Sequence, residues 1–118
     1  MSPKKTILVV DDSLVARMFI RKNFENDSGW QILEAENSTV ALQVLEKNKC
    51  DIISIDYNMP EGNGMELIDN VLKLYPSVKV AMLTANIQNS LRQAVEKKGV
   101  VFLEKPITEK TIESLKKL

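Results

Sequence analysis

The sequence predicts an α/β fold in which a parallel β-sheet is covered by helices on both faces. Short apolar runs rich in β-branched residues alternate with longer stretches whose apolar residues recur at helical spacing. Because crossovers between parallel strands are right-handed, five such strand–helix units form a (βα)5 three-layer sandwich. The length of 118 residues fits one domain, and we expect it to span residues 1–118.

Four of the predicted strands have the continuous apolar composition of strands that are buried on both faces of a sheet. They cover residues 7–10, 52–55, 78–83 and 100–103. A fifth run, residues 31–35, mixes polar and apolar side chains. We therefore expect this run to form a strand at the edge of the sheet.

Five helices are predicted between and after these strands. The first three cover residues 13–25, 38–48 and 64–74, where apolar residues recur three and four positions apart. Apolar residues at similar spacing mark the last two helices: Ile87, Leu91, Ala94 and Val95 the fourth, and Ile112, Leu115 and Leu118 the fifth. Gly99 is expected to end the fourth helix, because glycine readily adopts the conformation that follows a helix.

The composition excludes several classes of function. Sixteen basic and 16 acidic residues give a net charge of zero, so no excess of positive charge favours nucleic acid or an anionic membrane. The chain has no histidine, which excludes Ser-His-Asp catalysis and histidine-ligated metals. A single cysteine, Cys50, excludes an internal disulfide. No apolar run approaches the roughly 18–20 residues of a membrane span or the core of a signal peptide, so we expect a cytoplasmic protein.

Polar residues follow the predicted strands at their carboxyl ends, where open parallel sheets form their functional crevice. Asp11 and Asp12 follow the first strand, Asp56 the third, and Lys105 lies just past the fifth. Thr84 ends the fourth. Three carboxylates, a hydroxyl and an ammonium are therefore expected to converge at one edge of the sheet.

This set of groups suits the binding of a phosphoryl group. Carboxylates this close repel one another, so either their pKa values rise or a cation binds, and Mg²⁺ fits a site with two or three carboxylates. Asp56, at the end of a central strand, could then act as a carboxylate nucleophile. Each residue also has a simpler interpretation. Asp12 and Ser13 could cap a helix. The side chains of Asp56 and Thr84 could form hydrogen bonds with nearby backbone groups, and Lys105 could be a solvated surface lysine.

Four short segments resemble the receiver domain of two-component response regulators: Val9-Val10-Asp11-Asp12-Ser13, Asp56-Tyr57-Asn58-Met59-Pro60 with Gly64, Leu83-Thr84-Ala85, and Phe102-Leu103-Glu104-Lys105-Pro106. They occur in the order and spacing typical of that family, so the resemblance extends over essentially the whole chain. The resemblance implies a flavodoxin-like fold whose parallel sheet has the strand order 2-1-3-4-5. It also implies a cis bond between Lys105 and Pro106.

The resemblance assigns a role to each site residue. Asp56 would accept a phosphoryl group from a sensor histidine kinase or a histidine phosphotransfer protein. Mg²⁺ would be held by Asp12, Asp56 and the backbone carbonyl of Asn58, with Asp11 acting through water. Lys105 and Thr84 would contact phosphoryl oxygens.

The resemblance also implies a switch and an output surface. Phe102 would turn inward when Thr84 moves toward the phosphoryl group. A downstream partner would bind the face formed by the fourth helix, the fifth strand and the fifth helix, with no direct binding of nucleic acid and no membrane insertion. We expect a stand-alone regulator that catalyses only its own phosphorylation and dephosphorylation.

Four other functions fit the sequence less well. A haloacid-dehalogenase-like phosphatase needs a second aspartate two residues after the nucleophile, where this chain has Asn58. A dinucleotide site is disfavoured because Leu67 stands where the third glycine after Gly62-Asn63-Gly64 would be. Trp30 and Tyr57 are not suggestively spaced to sandwich a flavin. A receiver domain that only docks is disfavoured because every chemical position is intact.

Overall fold

Five strands alternate with five helices in the computed structural model, which describes residues 4–27, 29–59 and 64–118. The strands are β1 (Lys5–Val10), β2 (Trp30–Ala35), β3 (Ile52–Asp56), β4 (Lys79–Thr84) and β5 (Val101–Glu104). The helices are α1 (Leu14–Glu25), α2 (Ser38–Lys47), α3 (Gly64–Leu74), α4 (Asn89–Lys97) and α5 (Glu109–Lys116).

All five strands are parallel and form one sheet in the order β2-β1-β3-β4-β5. This confirms the predicted fold class and strand order, and β2 lies at an edge as its mixed composition predicts. The central strand is β3, whose five residues are all buried. The register pairs Val10 with Ile55 and Asp56 with Leu83, so the carboxyl ends of β1, β3 and β4 lie side by side.

Alternate residues of each strand pack against helices on opposite faces of the sheet, because successive side chains in a strand point to opposite sides. Ile7 and Val9 pack with Ile20 and Phe24 of α1 and with Leu115 of α5. The intervening strand residues, with Leu8 and Val10 among them, pack against α2, α3 and α4. The result is the predicted three-layer arrangement.

Local sequence sets the ends of several helices. The Ser13 hydroxyl accepts a hydrogen bond from the Ala16 amide at 3.2 Å and caps α1. Asn37 caps α2 through the Val40 amide at 2.8 Å. Gly99 follows α4 with a φ of 77°, the left-handed conformation that glycine favours, so its predicted role at this helix end is confirmed.

The assignment of apolar residues to the fourth and fifth helices is partly wrong. Ile87 lies before the N-cap of α4 at Gln88 and is 60% exposed, and Ala94 is also exposed. Only Val95 of that set is buried, while Leu91 is half-buried. The spacing matched a helix by coincidence, because the loop after β4 contributes Ile87 to the pattern. Leu118 likewise lies beyond the end of α5 and packs against the core from outside the helix.

Candidate functional site

Three carboxylates meet where β1 and β3 end. Asp11 and Asp12 follow the last residue of β1, and Asp56 is the last residue of β3. Each contributes a carboxylate oxygen to a group whose members all lie within 4.8 Å of one another. Asp11 and Asp56 are buried, at 1% and 4% exposure, whereas Asp12 is exposed and opens the group to solvent. The expected convergence of these three residues is therefore present in the structure.

Lys105 joins the two buried carboxylates. Its Nζ lies 3.2 Å from Oδ2 of Asp11 and 3.1 Å from Oδ1 of Asp56. Its backbone amide donates to the carbonyl of Thr84 at 2.9 Å, which fixes the segment after β5 against the end of β4. The peptide bond from Lys105 to Pro106 is cis, as the resemblance implies. Lys105 is thus an ion-pair partner inside the site and is not the solvated lysine of the simpler interpretation.

Burial and charge shift two pKa values in this site. Burial raises the pKa of Asp56, the neighbouring Asp11 raises it further, and Lys105 and the Asn58 amide only partly oppose these effects. Burial acts to lower the pKa of Lys105, but Asp11 and Asp56 outweigh it, so this pKa is raised. The site therefore keeps its lysine charged and makes ionisation of Asp56 costly while no further cation is present.

The donor set fits a hard divalent cation. Three carboxylates face one ammonium, which leaves an excess of negative charge, and oxygen ligands of this kind suit Mg²⁺. Asp11, Asp12 and Asp56 are the residues that could hold the ion. Asn58 is exposed beside them, with its amide donating to Oδ1 of Asp56 at 3.4 Å.

The three residues of the Asp11–Asp12–Ser13 segment make different interactions. Ser13 caps α1, as one of the simpler interpretations states, and its own amide donates to Oδ1 of Asp11 at 2.9 Å. The helix start therefore needs no oxygen from Asp12. Helix capping and the proposed cation binding are compatible because they use different side chains.

Thr84 is the last residue of β4, and Phe102 lies on the neighbouring strand β5. Thr84 is fully buried, and its hydroxyl accepts a hydrogen bond from the Asn86 amide at 3.0 Å, as the simpler interpretation of a strand-end hydroxyl states. Phe102 pairs with Met82 in the sheet and is already 93% buried, since only 7% of it is exposed. The guanidinium of Arg92 lies 4.6 Å above the centre of its ring. The same guanidinium also pairs with Glu104 at 3.1 Å.

Gly64 lets α3 begin directly against the acidic group. A Cβ atom at this position would lie 2.7 Å from the backbone carbonyl oxygen of Asp56, closer than two such atoms can approach. The amide of Gly64 also donates to the carbonyl of Tyr57 at 2.9 Å. The presence of Gly64 in the motif thus has a steric reason. Residues 60–63, which carry the rest of this segment and the two residues before Gly64 in the glycine pattern, lie outside the described residues.

Sequence reasoning missed Arg17 and Glu34. Arg17 donates to the carbonyl oxygen of Asp11 at 2.6 Å and pairs with Glu34 of β2 at 3.0 Å. The available signal was weak: a charged residue one turn into a helix that starts at the site, with an acid on the adjacent edge strand. No motif links the two positions, because their contact depends on how α1 packs against β2.

The flavin alternative has no geometric support. Trp30 pairs with Lys5 at the amino end of the sheet and packs edge-on against Phe24, with ring centres 5.0 Å apart. Tyr57 follows Asp56 at the opposite, carboxyl end. The two aromatic residues therefore cannot enclose one ring system.

Among the described residues, no helix is both long enough and apolar enough to cross a membrane.

Comparisons with known proteins agree with this architecture. The family model described as the response regulator receiver domain matches residues 7–116. The chemotaxis protein CheY of Listeria monocytogenes is 35% identical over 114 residues, which cover 94% of this chain and 95% of that protein. A protein-glutamate methylesterase/protein-glutamine glutaminase of Vibrio vulnificus is 30% identical over 118 residues, which are 98% of this chain but 34% of that protein. The solved structure of the chemotaxis response regulator CheY4 of Vibrio cholerae superposes with a TM-score of 0.87 at 27% identity, covering 97% of this chain and 98% of that one.

Proposed function

Because the chain belongs to the response regulator receiver domain family, we propose that it accepts a phosphoryl group on Asp56 and signals through the resulting change of conformation. A receiver domain is a signalling domain that works with a histidine kinase or phosphotransfer protein and with a downstream effector. The observation that carries the assignment to Asp56 is its position: a buried carboxylate at the end of the central strand, 3.1 Å from an ammonium and grouped with two further carboxylates.

The proposed reaction is a direct transfer. A carboxylate oxygen of Asp56 attacks the phosphorus of a phosphohistidine on the donor protein. The phosphorus–nitrogen bond breaks, its electron pair returns to the imidazole, which takes up a proton, and an acyl phosphate remains on Asp56. Asp11, Asp12, Asp56 and the carbonyl of Asn58 would hold Mg²⁺, which when bound supplies positive charge to the phosphoryl oxygens. Lys105, already at Asp56, would pair with one of those oxygens.

The experiment that tests this function is phosphorylation by a small donor. Incubation with acetyl phosphate and Mg²⁺ should add one phosphoryl group, measured by intact mass. Removal of the ion with a chelator should stop the reaction, because the three carboxylates would then repel the incoming phosphoryl group. Absence of the modification in the presence of Mg²⁺ would refute the proposed function, and uptake that persists after chelation would refute the role of the ion.

The protein donor is proposed to dock on the exposed apolar side chains of α1. Leu14, Val15 and Met18 are 58%, 76% and 57% exposed, and the helix starts directly after Asp12. Apolar side chains grouped in this way on a surface are typical of a protein-binding site. Their place beside Asp56 suits a donor that must bring a phosphohistidine to that carboxylate.

The Val15→Glu variant should lose phosphoryl transfer from the cognate histidine kinase by tenfold or more, the result expected if docking loses about 1.4 kcal/mol. Its phosphorylation by acetyl phosphate should be unchanged, because that donor needs no docking surface. Leu74→Glu is the matched control, since Leu74 is 59% exposed at the far end of α3. Equal transfer rates for both variants would contradict the docking site.

Thr84 and Phe102 are proposed to couple phosphorylation to the face formed by α4, β5 and α5, where the downstream partner would bind. The Thr84 hydroxyl would leave the Asn86 amide for a phosphoryl oxygen, and Phe102 would be fixed in the pocket that it already occupies. Arg92 lies over the Phe102 ring, so a change at the ring would reach the surface of α4.

Fluorine NMR of protein labelled with 4-fluorophenylalanine tests this switch, because the chain has only three phenylalanines. Addition of beryllofluoride with Mg²⁺, which mimics the phosphoryl group, should shift or sharpen the signal of Phe102. The signal of Phe24, buried on the other face of the sheet, serves as the internal control. A Phe102 signal that does not respond, or that responds equally in Thr84→Ala, would contradict the proposed coupling.

A further inference from the structure

Arg17 contacts the turn that carries two of the three site carboxylates. Its Nη1 donates to the backbone carbonyl oxygen of Asp11 at 2.6 Å, and its Nε donates to Oε1 of Glu34 at 3.0 Å. The Arg17 side chain is only 13% exposed. A buried guanidinium is costly unless it is fully paired, so this placement calls for a structural or functional reason.

Glu34 anchors this guanidinium. Its second oxygen accepts a hydrogen bond from Nε of Arg21 at 2.6 Å, so two arginines of α1 share one carboxylate of β2. Burial acts to raise the pKa of Glu34, but the hydrogen bonds from Arg21 and Arg17 outweigh it and hold the pKa below its usual value. Glu34 therefore stays ionised and keeps Arg17 in place.

The contact of Arg17 completes the restraint on Asp11. The amide of Asp11 donates to the carbonyl of Ala35 at 3.1 Å, and its Oδ1 accepts from the amide of Ser13 at 2.9 Å. The carbonyl oxygen is the remaining polar group of the Asp11 backbone, and it accepts the hydrogen bond from Arg17. Because the peptide unit is planar, fixing the Asp11 carbonyl also fixes the orientation of the Asp12 amide and the start of residue 12.

We infer that Arg17 is a positioning residue that orients the Asp11–Asp12 peptide, so that the exposed carboxylate of Asp12 is held next to those of Asp11 and Asp56 for cation binding. Glu34 serves as its anchor. This inference rests on the proposed function for its use of a divalent cation. It goes further in assigning part of the cation affinity to two residues that donate no ligand atom.

Arg17→Met is the variant that tests this inference, because it removes both hydrogen bonds and keeps an apolar side chain of similar length. Mn²⁺ affinity of the unphosphorylated protein, followed by the electron paramagnetic resonance signal of the free ion, should fall at least about tenfold, the size expected when the support of a metal ligand is lost. The amide signal of Asp12 in ¹⁵N NMR spectra of ion-free protein should shift as well.

Arg21→Met is the matched control, since Arg21 pairs with the same Glu34 but donates to the carbonyl of Ile32, not to Asp11. It should lower stability and leave Mn²⁺ affinity close to that of the wild type. Arg17→Lys is the second variant: it keeps the charge but lacks the forked donors needed to hold Asp11 and Glu34 together, so it should also weaken Mn²⁺ binding.

Two outcomes would overturn the inference: unchanged Mn²⁺ affinity in Arg17→Met and Arg17→Lys, or an equal loss in Arg21→Met. Neither depends on phosphorylation. Failure of wild-type protein to take up a phosphoryl group would instead contradict the proposed function, while the affinity series would still decide the role of Arg17.

Discussion

Replacement of Asp56 by asparagine is expected to abolish phosphorylation by acetyl phosphate, because an amide oxygen is not a nucleophile at phosphorus under these conditions. The Asp56→Asn protein should keep its unmodified mass after incubation with Mg²⁺ and the donor. Asp69→Asn is the control, since Asp69 lies on α3 and is paired at the surface with Lys98. Equal modification of Asp56→Asn and wild type would place the acceptor elsewhere.

The same substitution is expected to stabilise the ion-free protein at neutral pH. The pKa of Asp56 is raised in the folded state, chiefly by burial and then by Asp11, so the folded protein holds this proton more tightly than the unfolded chain. Stability therefore falls as pH rises through the folded-state pKa, and asparagine removes that loss. In urea unfolding at pH 7, the variant should have a higher midpoint than the wild type. This difference in midpoint should shrink as the pH is lowered toward about 4, the ordinary pKa of an aspartate.

The raised pKa also predicts the pH dependence of phosphorylation. The nucleophile is the ionised carboxylate, so the rate of uptake should fall as pH decreases through the pKa of Asp56, which lies above that of an ordinary aspartate. Mg²⁺ stabilises the charged form and should move this fall to lower pH. A fall that is independent of Mg²⁺ concentration would contradict this linkage.

Replacement of Lys105 by alanine is expected to give the largest loss of stability of any change in the site. Lys105 is the cation that the structure places against both Asp11 and Asp56, which are 2% and 5% exposed at their side chains. Removing one partner from a buried ion pair costs about 3–5 kcal/mol. We expect the lower end of that range, because a quarter of the Lys105 side chain is exposed.

The pH and ion dependence of this loss identifies its cause. Without Lys105 the pKa of Asp56 should rise further, so the variant should lose most stability at neutral pH and less in acid, where the carboxylates are protonated. Saturating Mg²⁺ should restore part of the loss by replacing the missing positive charge. Phosphorylation should also slow, because Lys105 would no longer pair with a phosphoryl oxygen.

Lys98→Ala provides the comparison for Lys105→Ala. Lys98 also forms a short ion pair, 2.7 Å to Asp69, but that carboxylate is 59% exposed. Exposed pairs contribute at most about 1 kcal/mol, so its unfolding midpoint should change little. Two results would show that Lys105 acts by packing and not by charge. One is an equal loss of stability in the two variants, and the other is a loss of stability in Lys105→Ala that does not change with pH or Mg²⁺.

The strands of this fold could be predicted because each is a compact apolar run bounded by polar residues. The β3 prediction needed only residues 52–55, and the structure adds Asp56 as the last residue of the strand. The prediction of the fourth helix matched the structure least well. It buries only Val95, so its apolar pattern carried little information and Ile87 of the preceding loop was drawn into it.

The acidic group could be predicted because it depends on a topological rule: parallel strands place the residues that follow them at one edge. Contacts that depend on how helices pack against the sheet could not be predicted from the sequence. The bond from Arg17 to the Asp11 carbonyl and the close approach of Gly64 to the Asp56 carbonyl depend on where two helices lie relative to the sheet. Those distances have no pattern in the sequence.

The most direct test of the central claim is to locate the phosphoryl group. Wild-type protein incubated with acetyl phosphate and Mg²⁺ can be treated with borohydride, which reduces an aspartyl phosphate to homoserine, and then analysed by tandem mass spectrometry of its peptides. We predict homoserine at position 56, with aspartate retained at positions 11 and 12. Homoserine at another position, or none at all, would contradict the assignment of Asp56 as the phosphoacceptor.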